Sequence, residues 1–556
     1  MQKMYALIIV IIMIILSLAA CDPSNKDEPE VSSSSSESVS SGNSTVGDPT
    51  TDSSATDSTA AESSATKGES SSSGSLKTGD KSVNGISVNV SVQRPRDDVD
   101  EFRSIGNAAE KWKSASGGAN TETAELRKKI LNSQNTSKTW SGTTYYISPG
   151  GDNLNDGKSP EKAIRTISAI NTLSLQPGDA LLFERGGIWR VSEQIWAKAG
   201  VTYGSYGTGE KPTIYGSPIN YARKELWEPS KMSNVWKVDF PYFDAGVIVF
   251  NHGEDVGTKK GMGLVQLTKN GDYYHNSQSG ILYLYYDKGN PASFYKDIAI
   301  TQKGTIFGIN VNVSNVTFDN LCLKYSGAYA IRTEGGNNNV KITNCEIGWI
   351  GGSKFNETTF YGNAIELWDS AKNITVENNW IYQTFDSALS PQGSGDYFEN
   401  IHFLNNLLEY NNTHIEMWVR SQESKITGFR IEGNIMRFAS MGFGSLLEGT
   451  GARGIEGCIC FPPDGGISSA VITDISIKNN IFDTAYYYLV NWNLPSKNQA
   501  GIKISGNTYY ANSNRRYAHF DLVIFDGVRR NASNQAELEE TITIFDKSPK
   551  LVKWLG

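Results

Sequence analysis

Polar and aromatic side chains recur at matched places in four successive segments of the chain, and their types suit sugar chemistry. The segments are AIRTEG from Ala330, AIELWD from Ala364, ALSPQG from Ala388 and HIEMWVR from His414. If Ile331, Ile365, Leu367, Leu389, Ile415 and Met417 point inward, period-two alternation turns the other set outward. That set holds Arg332 with Glu334, Glu366 with Trp368, Ser390 with Gln392, and His414 with Glu416, Trp418 and Arg420; Asp386 shares their parity. Glu366 and Glu416 fall two segments apart, so strands stacked in order would set their backbones about 10 Å apart. Side-chain tilt then brings the carboxyls toward the roughly 6.5–9.5 Å of an inverting glycosidase pair. The reading assigns catalysis to Glu366 and Glu416 as acid and base, with Asp386 as alternative base or nucleophile. Trp368 and Trp418 become sugar platforms, and Arg332, Gln392, His414 and Arg420 bind hydroxyls or a carboxylate. The same face could serve recognition without catalysis.

The elements that position these residues repeat. Apolar alternation followed by Asn or Gly recurs as NVTFDNL from Asn315, NVKITNC from Asn339, NITVENN from Asn373 and NIHFLNN from Asn400. It continues as GFRIEGN from Gly428, DISIKNN from Asp474 and GIKISGN from Gly501. The anchors Phe318, Ile342, Val376, Phe403, Ile431, Ile477 and Ile504 are separated by 24, 34, 27, 28, 46 and 27 residues, a solenoid period. Period-two β-branched and aromatic content makes each unit a strand. Two residues after each anchor stands Asn320, Asn344, Asn378, Asn405, Gly433, Asn479 or Gly506, residue types that accept the left-handed backbone of a tight turn. One residue later Asn379, Asn406, Asn434, Asn480 and Asn507 would stack as an amide ladder about 4.8 Å per step. The predicted class is all-β, a right-handed parallel β-helix. Its turn and Asn ladder resemble those of pectate-lyase-like β-helix proteins, a family of secreted bacterial carbohydrate-active proteins. In lyases of this fold the resemblance implies an Arg or Lys base and Ca²⁺ held by carboxylates. A lyase acting on uronate polymers, with Ca²⁺, therefore stands beside hydrolysis and glycan binding. No cofactor is otherwise expected.

Upstream, residues 1–20 carry Lys3, an apolar run and Leu18-Ala19-Ala20-Cys21, which reads as a removed signal peptide. The tetrapeptide resembles a bacterial lipobox, implying that Cys21 is lipidated and anchors the mature chain to a membrane outside the cytoplasm. Residues 21–81, rich in Ser and nearly free of apolar side chains, cannot bury a core and read as a disordered tether. Residues 82–141 have helical composition broken at Gly117-Gly118, and residues 142–556 form the β-helix domain. Ser159 and Pro160 open a helix carrying Ile164, Ile167 and Ile170, a cap for the open N-terminal edge. Between 219 and 296 the coil pattern gives way to a β-rich insert, where Lys259, Lys260, His252 and His275 read as solvated loop residues.

The step of 46 residues reflects a glycine-rich stretch from Met441 to Ser469, carrying Glu448, Arg453, Glu456 and Asp464. It reads as a loop beside the Glu416 strand. A short helix is expected around Asn534–Thr541. Formal charge is −8 with a pI of about 5.4, which disfavours nucleic acid and anionic membrane surfaces as partners. The expected partner is polysaccharide, met by a monomer. Cys322 and Cys345 fall on neighbouring coils as buried thiols or a disulfide. Cys458 and Cys460 are too close to pair and lack metal spacing. Five scattered histidines make no zinc motif.

Overall fold

A computed structural model describes residues 117–556, apart from 357–358, 394–396, 420–423, 447–456, 462–469, 493–500, 513–522 and 526–527. The chain divides into two units, 1–73 and 74–556, of which the first lies wholly outside the described residues. The signal peptide, Cys21, the Ser-rich tether and residues 82–116 of the helical segment lie outside the described residues.

Among the described residues, three long sheets of ten, ten and eleven strands run side by side. Each coil contributes one strand to each sheet in turn. One coil runs Val316–Asp319, Cys322–Lys324, Tyr329–Thr333 and the next Asn337–Thr343, Glu346–Ile350, Ile365–Trp368. Pairing from coil to coil is parallel, as in Phe318 with Ile342 and Ile342 with Val376. This is a parallel β-helix. Its interior is one continuous core in which Phe318, Ile342, Val376, Phe403, Ile431 and Ile477 stack from the first sheet, and Ile331, Ile365, Leu389 and Ile415 from the third.

The turn from first to second sheet is made by the residues the repeat marked. Asn320, Asn344, Asn378, Asn405 and Asn479 have φ between 53° and 59°, and Gly433 and Gly506 have φ of 69° and 70°. The next residue builds the ladder. Asn379 donates its backbone and side-chain N–H to Asn406 Oδ1, at 3.0 Å each. Asn406 does the same to Asn434, Asn434 to Asn480, and Asn480 to Asn507. Each amide also donates to a carbonyl of the preceding coil, as Asn406 does to Val376. The row ends on the buried Asp546 carboxylate, which accepts from Asn507 Nδ2 at 2.9 Å.

The ends are closed by short elements. Pro160–Lys162 forms a single 3-10 turn, and the α-helix begins only at Ile167, capped by Thr166. The expected continuous helix is broken because Ile164 leaves it to bridge Ile147 in parallel. At the other end Gln535–Thr543 is helical, with the Asn534 side chain accepting from the Glu537 amide. The helix Asn120–Leu131 lies on the outer face of the second sheet. Its Arg127, fully buried, reaches Glu409 at 2.7 Å, and the amides of Gly118 and Ala119 donate to Asp483.

Three excursions leave the corner between second and third sheets. The largest holds a five-stranded sheet, including Val235–Asp239, Asp272–Asn276 and Ile281–Tyr285, and the strand Ala245–Phe250 pairs antiparallel with Ile298–Gln302. Four of its residues read as solvated are not. Lys259 is buried with its Nζ 2.5 Å from Asp244 Oδ2, His275 is buried against Phe240 and Asp244, and His252 is held between Tyr325 and Asp297. Lys260 pairs with Asp272 at 3.3 Å. Of these contacts only His252 with Tyr325 reaches a coil; the others join residues of the excursion to one another and are covered by its own packing. The second excursion is the hairpin Ser353–Lys354 with Phe360–Tyr361. The third begins at Met441, and its Phe443 amide donates to Gln383. The stretch from Met441 to Ser469 is therefore not one loop, because Gly457–Phe461 within it is a strand of the third sheet that pairs Cys460 with Glu416. Glu448, Arg453, Glu456 and Asp464 lie outside the described residues. The four cysteines at 322, 345, 458 and 460 are buried thiols.

Candidate functional site

The outer face of the third sheet carries the acidic pair. Register puts Arg332 opposite Glu366, Glu366 opposite Ser390, and Trp368 opposite Gln392, which is in turn opposite Trp418. Leu389 pairs with Ile415, so Ser390 sits beside Glu416. Glu366 and Glu416 thus stand two coils apart on one face with the Ser390 coil between them, a backbone separation of about 10 Å.

The two carboxyls have different surroundings. Glu366 is 1 % exposed. Its Oε1 accepts from Arg332 Nε at 2.8 Å, and its Oε2 from Asn363 Nδ2 at 2.8 Å and Gln392 Nε2 at 2.7 Å. Tyr329 adds a hydroxyl contact. Burial pushes the Glu366 carboxyl above its ordinary range, opposed by Arg332 and the hydrogen-bond donors. Glu416, 7 % exposed, takes the hydroxyls of Ser387 at 2.9 Å and Ser390 at 3.2 Å on one oxygen. Hydroxyls donate to a carboxylate and accept from a protonated carboxyl, so this setting suits both states. The two acids are mechanically linked. Asn363, which donates to Glu366, accepts the Ser387 amide at 2.9 Å, and Ser387 donates to Glu416.

Arg332 divides its guanidinium between Glu366 and Glu334, with Nη1 at 2.8 Å from the latter, and its cation lies over the rings of Tyr329 and Trp368. Its pKa is moved upward: burial works against the cation, and the charges of Glu366, Tyr329 and Glu334 outweigh it. Trp368 and Trp418 are half-buried, each showing part of its indole on the face. Gln392 is on the face and spends a donor on Glu366. Asp386 is buried at the edge of the sheet, where its backbone carbonyl accepts from the Thr413 amide.

His414 does not join this group. It is fully buried, its Nδ1 meets Asn411 Nδ2 at 3.1 Å and its Nε2 the Arg437 carbonyl at 3.0 Å. Burial lowers its pKa to about 3, so it is neutral. Alternation fails at the strand entry. The Ala364 carbonyl accepts both the Ala330 and Ile331 amides, two residues opposite one as in a β-bulge. Ala330, Ala364 and Ala388 consequently join the inner core, and His414 occupies the equivalent place on its coil. The same slip brings out Tyr329, Asn363 and Ser387, which alternation had not marked. Two adjacent apolar residues at each entry, Ala330-Ile331, Ala364-Ile365 and Ala388-Leu389, are its sequence signal. Arg420 lies outside the described residues. Among the described residues no three His, Cys, Asp or Glu side chains group as metal ligands.

No family model and no curated protein matches the sequence. Solved structures do. The complex of XylC with xylose is 12 % identical with a TM-score of 0.40, covering 66 % of this chain and 68 % of that one. A GH136 lacto-N-biosidase from Eubacterium ramulus is 12 % identical with a TM-score of 0.33, covering 74 % and 68 %. A rhamnogalacturonan lyase is 12 % identical with a TM-score of 0.32, covering 71 % and 86 %. Similarity at this level assigns no residue a role.

Proposed function

We propose that this protein hydrolyses a glycosidic bond in a polysaccharide, using Glu366 as general base and Glu416 as general acid. The observation that carries the reading is the placement of two withdrawn carboxyls on one face, two coils apart, beside two indoles. Glu366 is surrounded by donors, which favour its anion, while burial strengthens it as a base. Glu416 faces hydroxyls that accommodate a proton. The reaction runs with water between them: the water oxygen attacks the anomeric carbon while Glu366 takes its proton. The bond to the leaving oxygen breaks as Glu416 protonates it. A separation of two coils matches the wider spacing of an inverting pair. Trp368 and Trp418 would stack on sugar rings.

The alternative of uronate cleavage by an Arg base is less well supported. Arg332 is engaged by two carboxylates and its proton is held more tightly than usual. The test is incubation of the protein with plant and microbial polysaccharides, reading reducing ends and ultraviolet absorbance with and without a chelator, and product anomer by NMR. Reducing ends with inverted configuration, lost in both Glu366→Gln and Glu416→Gln, are expected. Full activity in both variants refutes the assignment. An absorbing, chelator-sensitive product means a lyase, and retention without product means a glycan-binding protein. Export and lipid anchoring at Cys21 belong to the same proposal, tested by metabolic labelling with a fatty acid in wild type and Cys21→Ser.

A further inference from the structure

The outward row that holds Glu366 and Arg332 continues toward the N-terminal end of the solenoid. Arg332 is opposite Gly308, and Gly308 is opposite Trp196. Trp196 is 39 % exposed, more than either tryptophan beside the acids. Its ring lies across the next coil because Gly308 has no side chain: a Cβ there would come within 2.8 Å of the indole and would collide with the Gln194 amide. Beside the ring is a cavity of about 270 Å³ lined by Asn171, Leu175, Glu193, Gln194 and Lys198. An open indole next to an amide, a carboxylate and an ammonium is the combination a pyranose ring needs, an apolar face to stack and groups for its hydroxyls. The indole packs on Gly308 and not into the core. The core beneath it is filled by Ile195 and Ala197 of the same strand.

We infer that Trp196 and Gln194 form a distal sugar-binding subsite for the glycan chain whose bond is cleaved at Glu366 and Glu416. This rests on the reading of the acid pair as catalytic and adds the substrate class, an extended polymer lying along the solenoid. From Trp196 to Glu366 is three coil steps, about 14 Å by strand spacing. A disaccharide bound at the acids does not reach Trp196, and a longer chain does.

The test is a length series of oligosaccharides from the polymer that wild-type protein cleaves, measured with Trp196→Ala, Trp196→Phe and Trp196→Ala/Gln194→Ala in the full chain. For long chains Trp196→Ala raises KM about tenfold, the loss of one stacked ring, with kcat nearly unchanged. For the shortest cleaved substrate its kinetics equal those of wild type, and Trp196→Phe recovers most of the affinity for long ones. An equal effect at all lengths, or none at any, overturns the subsite while leaving the acid pair standing. Absence of binding and cleavage of every glycan by wild type overturns both, and loss of activity in Glu366→Gln with no length dependence in Trp196→Ala separates the two.

Discussion

Replacing Arg332 by Met should move the acidic limb of the pH profile to higher pH. Arg332 Nε lies 2.8 Å from Glu366 Oε1 and the arginine side chain is 24 % exposed. With charge centres about 4 Å apart and an effective dielectric of about 20, the attraction is about 4 kcal/mol at most. Asn363, Gln392 and Tyr329 still favour the anion in the variant, so the limb moves by less than that attraction alone would give. The sign follows from the role. A base must be ionised to accept the water proton, the cation favours ionisation, and its removal raises the carboxyl pKa already raised by burial. Activity is therefore lost at pH values where wild type works and recovers at higher pH. The assay is kcat/KM from reducing-end release on the cleaved polymer across the acid-to-neutral range, with Glu334→Gln as control because Glu334 contacts a different guanidinium nitrogen. If the acidic limb stays in place and only KM rises, Arg332 holds substrate and Glu366 is not the titrating base.

Three further outcomes follow from buried contacts. Asn406→Ala removes two donated and two accepted hydrogen bonds in the ladder and strands the Val376 carbonyl; urea unfolding should show a loss of about 2–4 kcal/mol, and a change below measurement error would mean the ladder is dispensable. Arg127→Met leaves the buried Glu409 without its closest cation, costing about 3–5 kcal/mol; limited proteolysis should then cut within residues 117–141 before the β-helix, and unchanged resistance would contradict the seating of the helix through this pair. His414→Gln should lower stability while its pH–activity profile superimposes on wild type, because burial already holds His414 neutral with a pKa of about 3; a displaced profile would place the imidazole in the chemistry.

The solenoid was legible because its signals are local and repeated. Left-handed turns at Asn320, Asn344 and Asn378 need only the residue itself, and the inward stacking of Ile331, Ile365, Leu389 and Ile415 needs only period two. Glu366, Ser390, Gln392, Glu416 and both tryptophans reach one face by the same rule. The rule breaks where backbone pairing does. At the strand entries, where a bulge forms at Ala364, Asn363 and Ser387 reach the acids and His414 is buried, so the residues that hold both acids lay one slip away from the pattern. Lys259 and Asp244 were beyond reach for another reason. Fifteen residues separate them with no period, and their burial depends on how the insert seats.

The placement of the candidate site follows from what covers each sheet. The first sheet turns Thr317, Lys341, Thr375, His402 and Arg430 outward, none of them buried. Its outer surface is ordinary solvated strand. The second turns out Lys324, Tyr382, Glu409, Arg437 and Asp483, all fully or almost fully buried beneath the insert or the Asn120–Leu131 helix and paired among themselves or with those elements. Ligand cannot reach it. Among the described residues, the third has charged groups withdrawn from water beside indoles that still face it: the excursions leave the corner along its edge, and what they are seen to cover is partial, Tyr361 of the hairpin packing on Tyr329. Burial changes a carboxyl's proton affinity, and partly exposed groups beside it let it meet a substrate. Glu366, 1 % exposed, is as deeply covered as Glu409; it differs in that Arg332, Trp368 and Trp418 beside it keep part of their surface in water. The half-covered sheet is therefore where chemistry is possible in this fold, and Glu366, with Arg332 partly exposed above it, is the residue on which that argument stands or fails.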